Sequence, residues 1–104
     1  MAEVSPQQPH LRLLNGPQVG TCVPLDFLTL KNRAFVLGRI PEVDLILYDP
    51  ANRVSRRHAE ISLRNEDELL VLRDTSSNGT YLNGQLIASV MPLFPGDNIS
   101  CGSL

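Results

Sequence analysis

Four of the chain's eight arginines, Arg39, Arg53, Arg56 and Arg57, fall in one short stretch that also holds Ser55 and His58. The 104-residue chain carries a formal net charge of −2, so this is a local cationic cluster in a slightly acidic protein. Guanidinium groups bond phosphate through two parallel N–H donors. A serine hydroxyl adds a short-range donor, and neighbouring backbone N–H groups can complete an anion-binding concavity. Two basic loops with a serine between them therefore suit a phosphate dianion, which presents close to two charges and three acceptor oxygens. An apolar strand separates Arg39 from the other three arginines, and a hairpin is expected to bring both loops to the same end. Gly38 is expected to permit a backbone turn before Arg39 that other residues resist.

A third polar loop, Asp74 to Gly79, supplies Ser77 and Asn78. Asparagine pairs a donor with an acceptor at short reach, which suits gripping the main chain of an extended peptide. Gly79 then allows the turn into a strand starting at Thr80. Arg53, two residues before Ser55, is expected to meet the peptide C-terminal to the phosphorylated residue and to favour an acidic neighbour there. Arg57 reads as solvated or paired with a carboxylate. Ser55, His58 and Asp74 invite a hydrolase reading. No nucleophile elbow surrounds Ser55, and Ser and His three apart on a loop rarely align as a triad, so no catalytic residue is assigned.

The elements that must carry these loops read as strands. Residues 10–14 alternate. Residues 21–25 form a second strand that Pro24 demotes to an edge or a strand end. Residues 27–33 read as loop. Residues 34–37 and 43–48 are strands, with Val43, Leu45 and Leu47 inward. Residues 58–63 place Ala59, Ile61 and Leu63 on one face, and residues 69–72 read as a central strand covered on both faces. A connection at 64–67 joins those two. Asn83-Gly84 between 80–82 and 85–87 is the strongest hairpin signal in the chain. Pro95-Gly96-Asp97 turns into a last strand at 98–101. Many short strands separated by turn signals predict an all-β sandwich or barrel.

At this length one domain is the natural count, with residues 1–9 as a disordered lead-in and residues 10–104 as the folded unit. The net charge argues against a nucleic-acid binder working through a broad basic surface. No run of about 18 apolar residues exists, and the N-terminus lacks a signal-peptide pattern. Cys22 and Cys101 read as buried, reduced thiols of an intracellular protein. His10 and His58 have no partner at metal-ligand spacing, so neither metal nor cofactor is expected.

In this order the motifs resemble the forkhead-associated (FHA) domain: Gly38-Arg39, Ser55-Arg56-Arg57-His58, Ser77-Asn78-Gly79-Thr80, Asn83-Gly84 and the later Gly96-Asp97, with similarity from about residue 11 to the end. The resemblance implies a two-sheet β-sandwich of about ten to eleven strands with phosphothreonine-peptide-binding loops at one end. It implies that Arg39 and Ser55 hold the phosphate, that Arg56 adds backbone or side-chain contacts, and that Ser77 places a hydroxyl near the phosphothreonine. Asn78 would fix the peptide backbone, His58 would brace the loop, and Gly38 and Gly79 would set backbone shape. The family pattern continues into one further strand lying against the first. The chain is therefore expected to be truncated by about one strand, leaving an unpaired edge near residues 11–14. The implied function is a phosphothreonine-dependent adaptor in signalling of the cell-cycle or DNA-damage type, with the nucleus favoured from eukaryotic relatives. The alternative is a β-sandwich interaction domain that assembles without phosphate.

Overall fold

The computed structural model describes residues 2–4, 10–14, 16–26, 30–64 and 69–102. Among the described residues eleven short strands run in chain order: β1 Ala2–Val4, β2 His10–Leu13, β3 Cys22–Pro24, β4 Phe35–Gly38, β5 Leu45–Ile46, β6 Arg57–Arg64, β7 Leu69–Asp74, β8 Thr80–Leu82, β9 Gln85–Leu86, β10 Val90–Pro92 and β11 Asn98–Cys101. They form a six-stranded sheet, β3-β2-β1-β11-β8-β9, and a five-stranded sheet, β10-β7-β6-β4-β5. The two sheets share one apolar cluster. Leu11, Leu13, Leu82, Ile99 and Cys101 come from the first sheet, and Leu37, Leu45, Ala59, Ile61, Leu63, Leu70 and Leu72 from the second. The strand pattern left a sandwich or a barrel open; the fold is the all-β two-sheet sandwich that the FHA resemblance implies.

Period-2 alternation explains β6, where Ala59, Ile61 and Leu63 are buried at 0%, 0% and 8% exposure. Val43, Leu45 and Leu47 likewise all turn inward. In β7 only Leu70 and Leu72 reach the core, while Leu69 and Val71 are half-buried, so the strand is not covered on both faces. At Asn83-Gly84 both residues have positive φ, 52° and 83°, the geometry of a two-residue hairpin turn. The connections at 27–29 and 65–68 lie outside the described residues.

Three further expectations are corrected. First, β4 and β5 are not a hairpin. They pair in parallel, Leu37 opposite Leu45 and Gly38 opposite Ile46. A parallel pair usually needs a crossover of a dozen or more residues. Here residues 39–44 suffice, because β5 is only two residues long. Parallel pairing is also what delivers both basic loops to one end: Arg39 leaves the end of β4, and residues 47–56 leave the matching end of β5. A hairpin would have put them at opposite ends.

Second, the reading of residues 1–9 as a disordered lead-in fails for Ala2–Val4, which form β1 between β2 and β11, antiparallel to both; residues 5–9 lie outside the described residues. The edge near 11–14 is consequently paired on both sides, by β1 and β3. Third, Cys22 is exposed, because β3 is an edge strand, while Cys101 is buried with its thiol pKa pushed up to about 12 by burial. Both thiols are free.

Candidate functional site

The site is built on a bulge. β4 pairs with β6 as Leu37 opposite Ala59, then Gly38 opposite Arg57. His58 is therefore the extra residue on β6, and it turns into the interior beside Ala59, both at 0% exposure. The bulge also presses Gly38 against the Arg56 backbone: a Cβ at Gly38 would fall on the Arg56 carbonyl oxygen. Gly38 is not in the left-handed region. The glycine is required by close approach and not by the special turn expected of it. The Arg39 N–H then donates to the Arg56 carbonyl at 3.0 Å, locking the two basic segments together.

Residues 47–56 are held from within and from below. The Asp49 carboxylate accepts the Ala51 and Arg53 N–H groups at 2.9 and 3.1 Å. Asn52 sits at φ 54°, a conformation asparagine tolerates better than most residues. Val54 is 2% exposed and belongs to the core cluster. Full burial of a valine contributes about 1.5–3 kcal/mol, against about 1 kcal/mol for a typical hydrogen bond. Packing of Val54 is thus the stronger single anchor of this loop.

The buried His58 ring joins this loop to the next. Its Nδ1 accepts the Ser55 backbone N–H at 3.0 Å, so that nitrogen carries no proton. Nε2 therefore holds the hydrogen and donates to the Gly79 carbonyl at 2.9 Å. Burial lowers the imidazole pKa below its ordinary value, opposed by the Gly79 hydrogen bond and by the charge of Asp74. The ring meets the main chain of Ser55 and not its hydroxyl, so it is not positioned to deprotonate that serine.

Residues 75–79 are organised by Asp74. Its Oδ1 accepts the Ser76 N–H, the Ser76 hydroxyl and the hydroxyl of the fully buried Thr80 at 2.9, 2.6 and 2.8 Å. Burial pushes the Asp74 carboxyl up, but the hydrogen bonds from Ser76 and Thr80, with the charge of His58, outweigh it and hold the pKa below the ordinary carboxylate value. Ser76 Oγ in turn accepts the Gly79 N–H at 2.7 Å. Gly79 has φ 96°, where a side chain would be strained.

Two bonds bring this turn against the basic loop. Ser55 Oγ accepts the Ser77 N–H at 3.0 Å, which leaves its own hydroxyl hydrogen available as a donor. Asn78 Nδ2 donates to the Arg53 carbonyl at 2.9 Å. The result is a cleft of about 410 Å³ whose wall includes Arg39, Arg53, Ser55, Arg56, Ser77 and Asn78 together. Gly38, His58, Gly79 and Thr80 are not among its lining residues, and His58 and Thr80 are fully buried. Four lining residues, Asn52, Val54, Thr75 and Arg57, were not read as site residues from the sequence. Asn52 enters through its left-handed turn. Thr75 is held by its hydroxyl on the Arg57 carbonyl at 2.8 Å. Arg57 itself lines the cleft, which its bystander reading did not anticipate; its place in the Arg53–Arg57 cluster was the available signal. Among the described residues four guanidinium groups and no carboxylate line this space, so it favours an anion. Among the described residues no group of three or more His, Cys, Asp or Glu could hold a metal ion, and no helix is long and apolar enough to cross a membrane.

A two-sheet sandwich with an anion cleft between three loops at one end defines a class of loop-based binding modules. Comparison with known proteins names the family: the FHA domain model matches residues 35–102, and the chain belongs to that family. It is similar to the serine/threonine-protein kinase RAD53 of Saccharomyces cerevisiae, 40% identical over 72 residues that cover 67% of this chain and 8% of the kinase. It is also similar to the oxoglutarate dehydrogenase inhibitor of Corynebacterium efficiens, 41% identical over 87 residues that cover 84% of this chain and 55% of the inhibitor. The chain thus spans about half or less of these relatives' lengths. Among solved structures it matches the N-terminal FHA domain of S. cerevisiae Rad53p in complex with a phosphothreonine peptide, with a TM-score of 0.68, 33% identity and coverage of 80% of this chain and 73% of that one.

Proposed function

We propose that the chain is a phosphothreonine-dependent peptide-binding module and not an enzyme. The observation that carries this reading is the cleft in which Arg39, Ser55, Arg56, Ser77 and Asn78 meet under a purely cationic charge. The similar FHA structure solved with a phosphothreonine peptide supports it. Arg39 and Ser55 hold the phosphate, Arg39 through its fork and Ser55 through the hydroxyl hydrogen left free by its bond to Ser77. Arg56 adds charge, Ser77 a hydroxyl, and Asn78 holds the peptide main chain. Arg53 faces the residues C-terminal to the phosphothreonine and favours an acidic one.

Three or four charge-assisted hydrogen bonds contribute about 1.5–3 kcal/mol each. Association costs several kcal/mol in return, so micromolar binding, about −8 kcal/mol, is expected. The signalling role is that of a phosphothreonine-dependent adaptor. A cell-cycle or DNA-damage setting and a nuclear site gain no support from the relatives, which are a yeast serine/threonine-protein kinase and a bacterial oxoglutarate dehydrogenase inhibitor.

The alternative, assembly without phosphate, draws on the exposed Leu86, Val90, Met91 and Phe94 near the edge strands β9 and β10. Calorimetry with a phosphothreonine peptide library and unphosphorylated controls separates the two. Binding that needs the phosphate and weakens about 10–100-fold in Arg39→Ala, roughly 1.5–3 kcal/mol, supports the first. Equal binding of both peptide forms supports the second.

A further inference from the structure

A second cavity of about 350 Å³ adjoins the phosphate cleft and shares two residues of its wall, Arg39 and Asn52. Its other walls are apolar in character: Pro17 on one side, Leu47, Tyr48 and Pro50 on the other. Among the described residues the one carboxylate along it, Asp49, is turned into its own loop, where it accepts the Ala51 and Arg53 N–H groups and lies close to Gly102. The groove is therefore not acidic.

Its two sides are fixed relative to each other. The Gln18 side chain crosses between them, donating from Nε2 to the Ile46 carbonyl at 2.7 Å and accepting the Tyr48 N–H on Oε1 at 3.1 Å. One amide thus pairs with the 46–48 backbone as a neighbouring strand would. The 16–20 turn is held further by the Gly20 N–H on the Leu13 carbonyl at 2.8 Å. A groove held open in advance loses less ordering entropy when it is filled. Tyr48 stands 56% exposed at its rim, an apolar surface that a ligand would cover.

We propose that this groove is a side-chain subsite of the phosphopeptide cleft, taking an aromatic or long aliphatic residue N-terminal to the phosphothreonine. The proposal rests on the phosphothreonine reading. Continuity of the two cavities at Arg39 and Asn52 makes the same peptide the occupant. The direction follows from the far wall. Arg53 and Asn78 line the cleft but not the groove, and Arg53 serves the C-terminal flank, so the groove serves the other. Adjoining cavities of this size have centres roughly 8–10 Å apart, which an extended chain spans in about three residues. Specificity would then come from both flanks: charge on one side and apolar shape on the other.

Fluorescence anisotropy on the full chain tests this. The probes are phosphothreonine peptides in an alanine-serine background, with a single leucine or phenylalanine moved through the four positions on each side. The expected result is a gain of about 5–10-fold, roughly 1 kcal/mol, at one N-terminal position two to four residues from the phosphothreonine. That gain disappears in Tyr48→Ser, returns in Tyr48→Phe, and leaves the affinity for the plain phosphopeptide unchanged. Binding that requires the phosphate but ignores the apolar residue everywhere overturns the subsite alone. So does a gain that survives Tyr48→Ser, or one found only on the C-terminal side. Equal binding of phosphorylated and unphosphorylated peptides overturns the phosphothreonine reading and the subsite with it.

Discussion

Asn78 Nδ2 donates to the Arg53 carbonyl oxygen at 2.9 Å, so the side chain proposed to hold the peptide main chain is also the clasp between two loops of the cleft. An amide has two N–H donors and a carbonyl acceptor, and this bond uses one donor. Replacing Asn78 removes both functions. Asn78→Ala is expected to weaken phosphopeptide binding about 10–100-fold while lowering stability by only about 1 kcal/mol, the worth of one exposed hydrogen bond. Asn78→Asp cannot donate to Arg53 and adds a negative charge to the cleft, so its loss should be larger. Calorimetry paired with chemical denaturation separates the two effects.

The buried His58 makes stability depend on pH in a defined direction. Its folded pKa lies below 6.5, so the unfolded chain binds the proton first as pH falls. Stability from the neutral ring is complete above about pH 6.5 and is lost as pH falls through the folded value. Protonation would also place a hydrogen on Nδ1, facing the Ser55 N–H. Asp74 behaves similarly but lower, its contribution fading only below its ordinary value of 3.8. Melting temperatures from pH 7.5 to 4.5 should therefore fall below about 6.5 in the wild type and stay flatter in His58→Gln. Reading the melt avoids the titration of the ligand phosphate, whose second pKa is about 6.

Much of the cleft was legible because its residues serve no core. Arg39, Ser55 and Asn78 are polar, lie at loop positions and follow a recognisable order, and the three loops needed only strands of known period between them. What stayed hidden depends on partners distant in the chain. The parallel pairing of β4 with β5 leaves no local mark, and adjacent short strands read by default as a hairpin. β1 pairs with residues 98 and 99, and Ala2-Glu3-Val4, though it alternates, is only three residues long, too short a run to announce a strand. β10 was missed because Val90 and Met91 are exposed, which removes the buried-face signal on which strand reading relies. Asn52 and Thr75 join the wall through backbone shape, which neither residue type advertises.

Two glycines distinguish crowding from backbone strain. Gly38 has no positive φ but leaves no room for a Cβ against the Arg56 carbonyl. Gly84 has φ 83° and nothing within 4 Å. Gly38→Ala must displace backbone at the base of the cleft and is expected to cost about 3 kcal/mol, the upper end for overpacking, with phosphopeptide binding weakened. Gly84→Ala bears only the left-handed penalty of about 1–2 kcal/mol and should leave binding intact in the folded protein. Equal effects of both substitutions on binding would contradict the close-approach role of Gly38.

The position of β1 inside the first sheet gives the sharpest test of the fold. Glu3 lies opposite Arg12 of β2 and Asn98 of β11, so its backbone is flanked on both sides. Proline has no N–H to give to a ladder and is confined to edges in sheets. Glu3→Pro should therefore destabilise the protein by about 2–3 kcal/mol, as loss of strand hydrogen bonds and displacement of a central strand would require. If Ala2–Val4 were a tail, the same substitution would change nothing. The phosphate loops hang mainly from the other sheet, through β4, β5, β6 and β7. Phosphopeptide affinity at low temperature should accordingly change little in Glu3→Pro while the denaturation midpoint falls. Hydrogen exchange at His10–Leu13 and Asn98–Cys101 should accelerate ahead of exchange at Ala59–Leu63, because losing β1 frees one edge of β2 and one of β11 but none of β6.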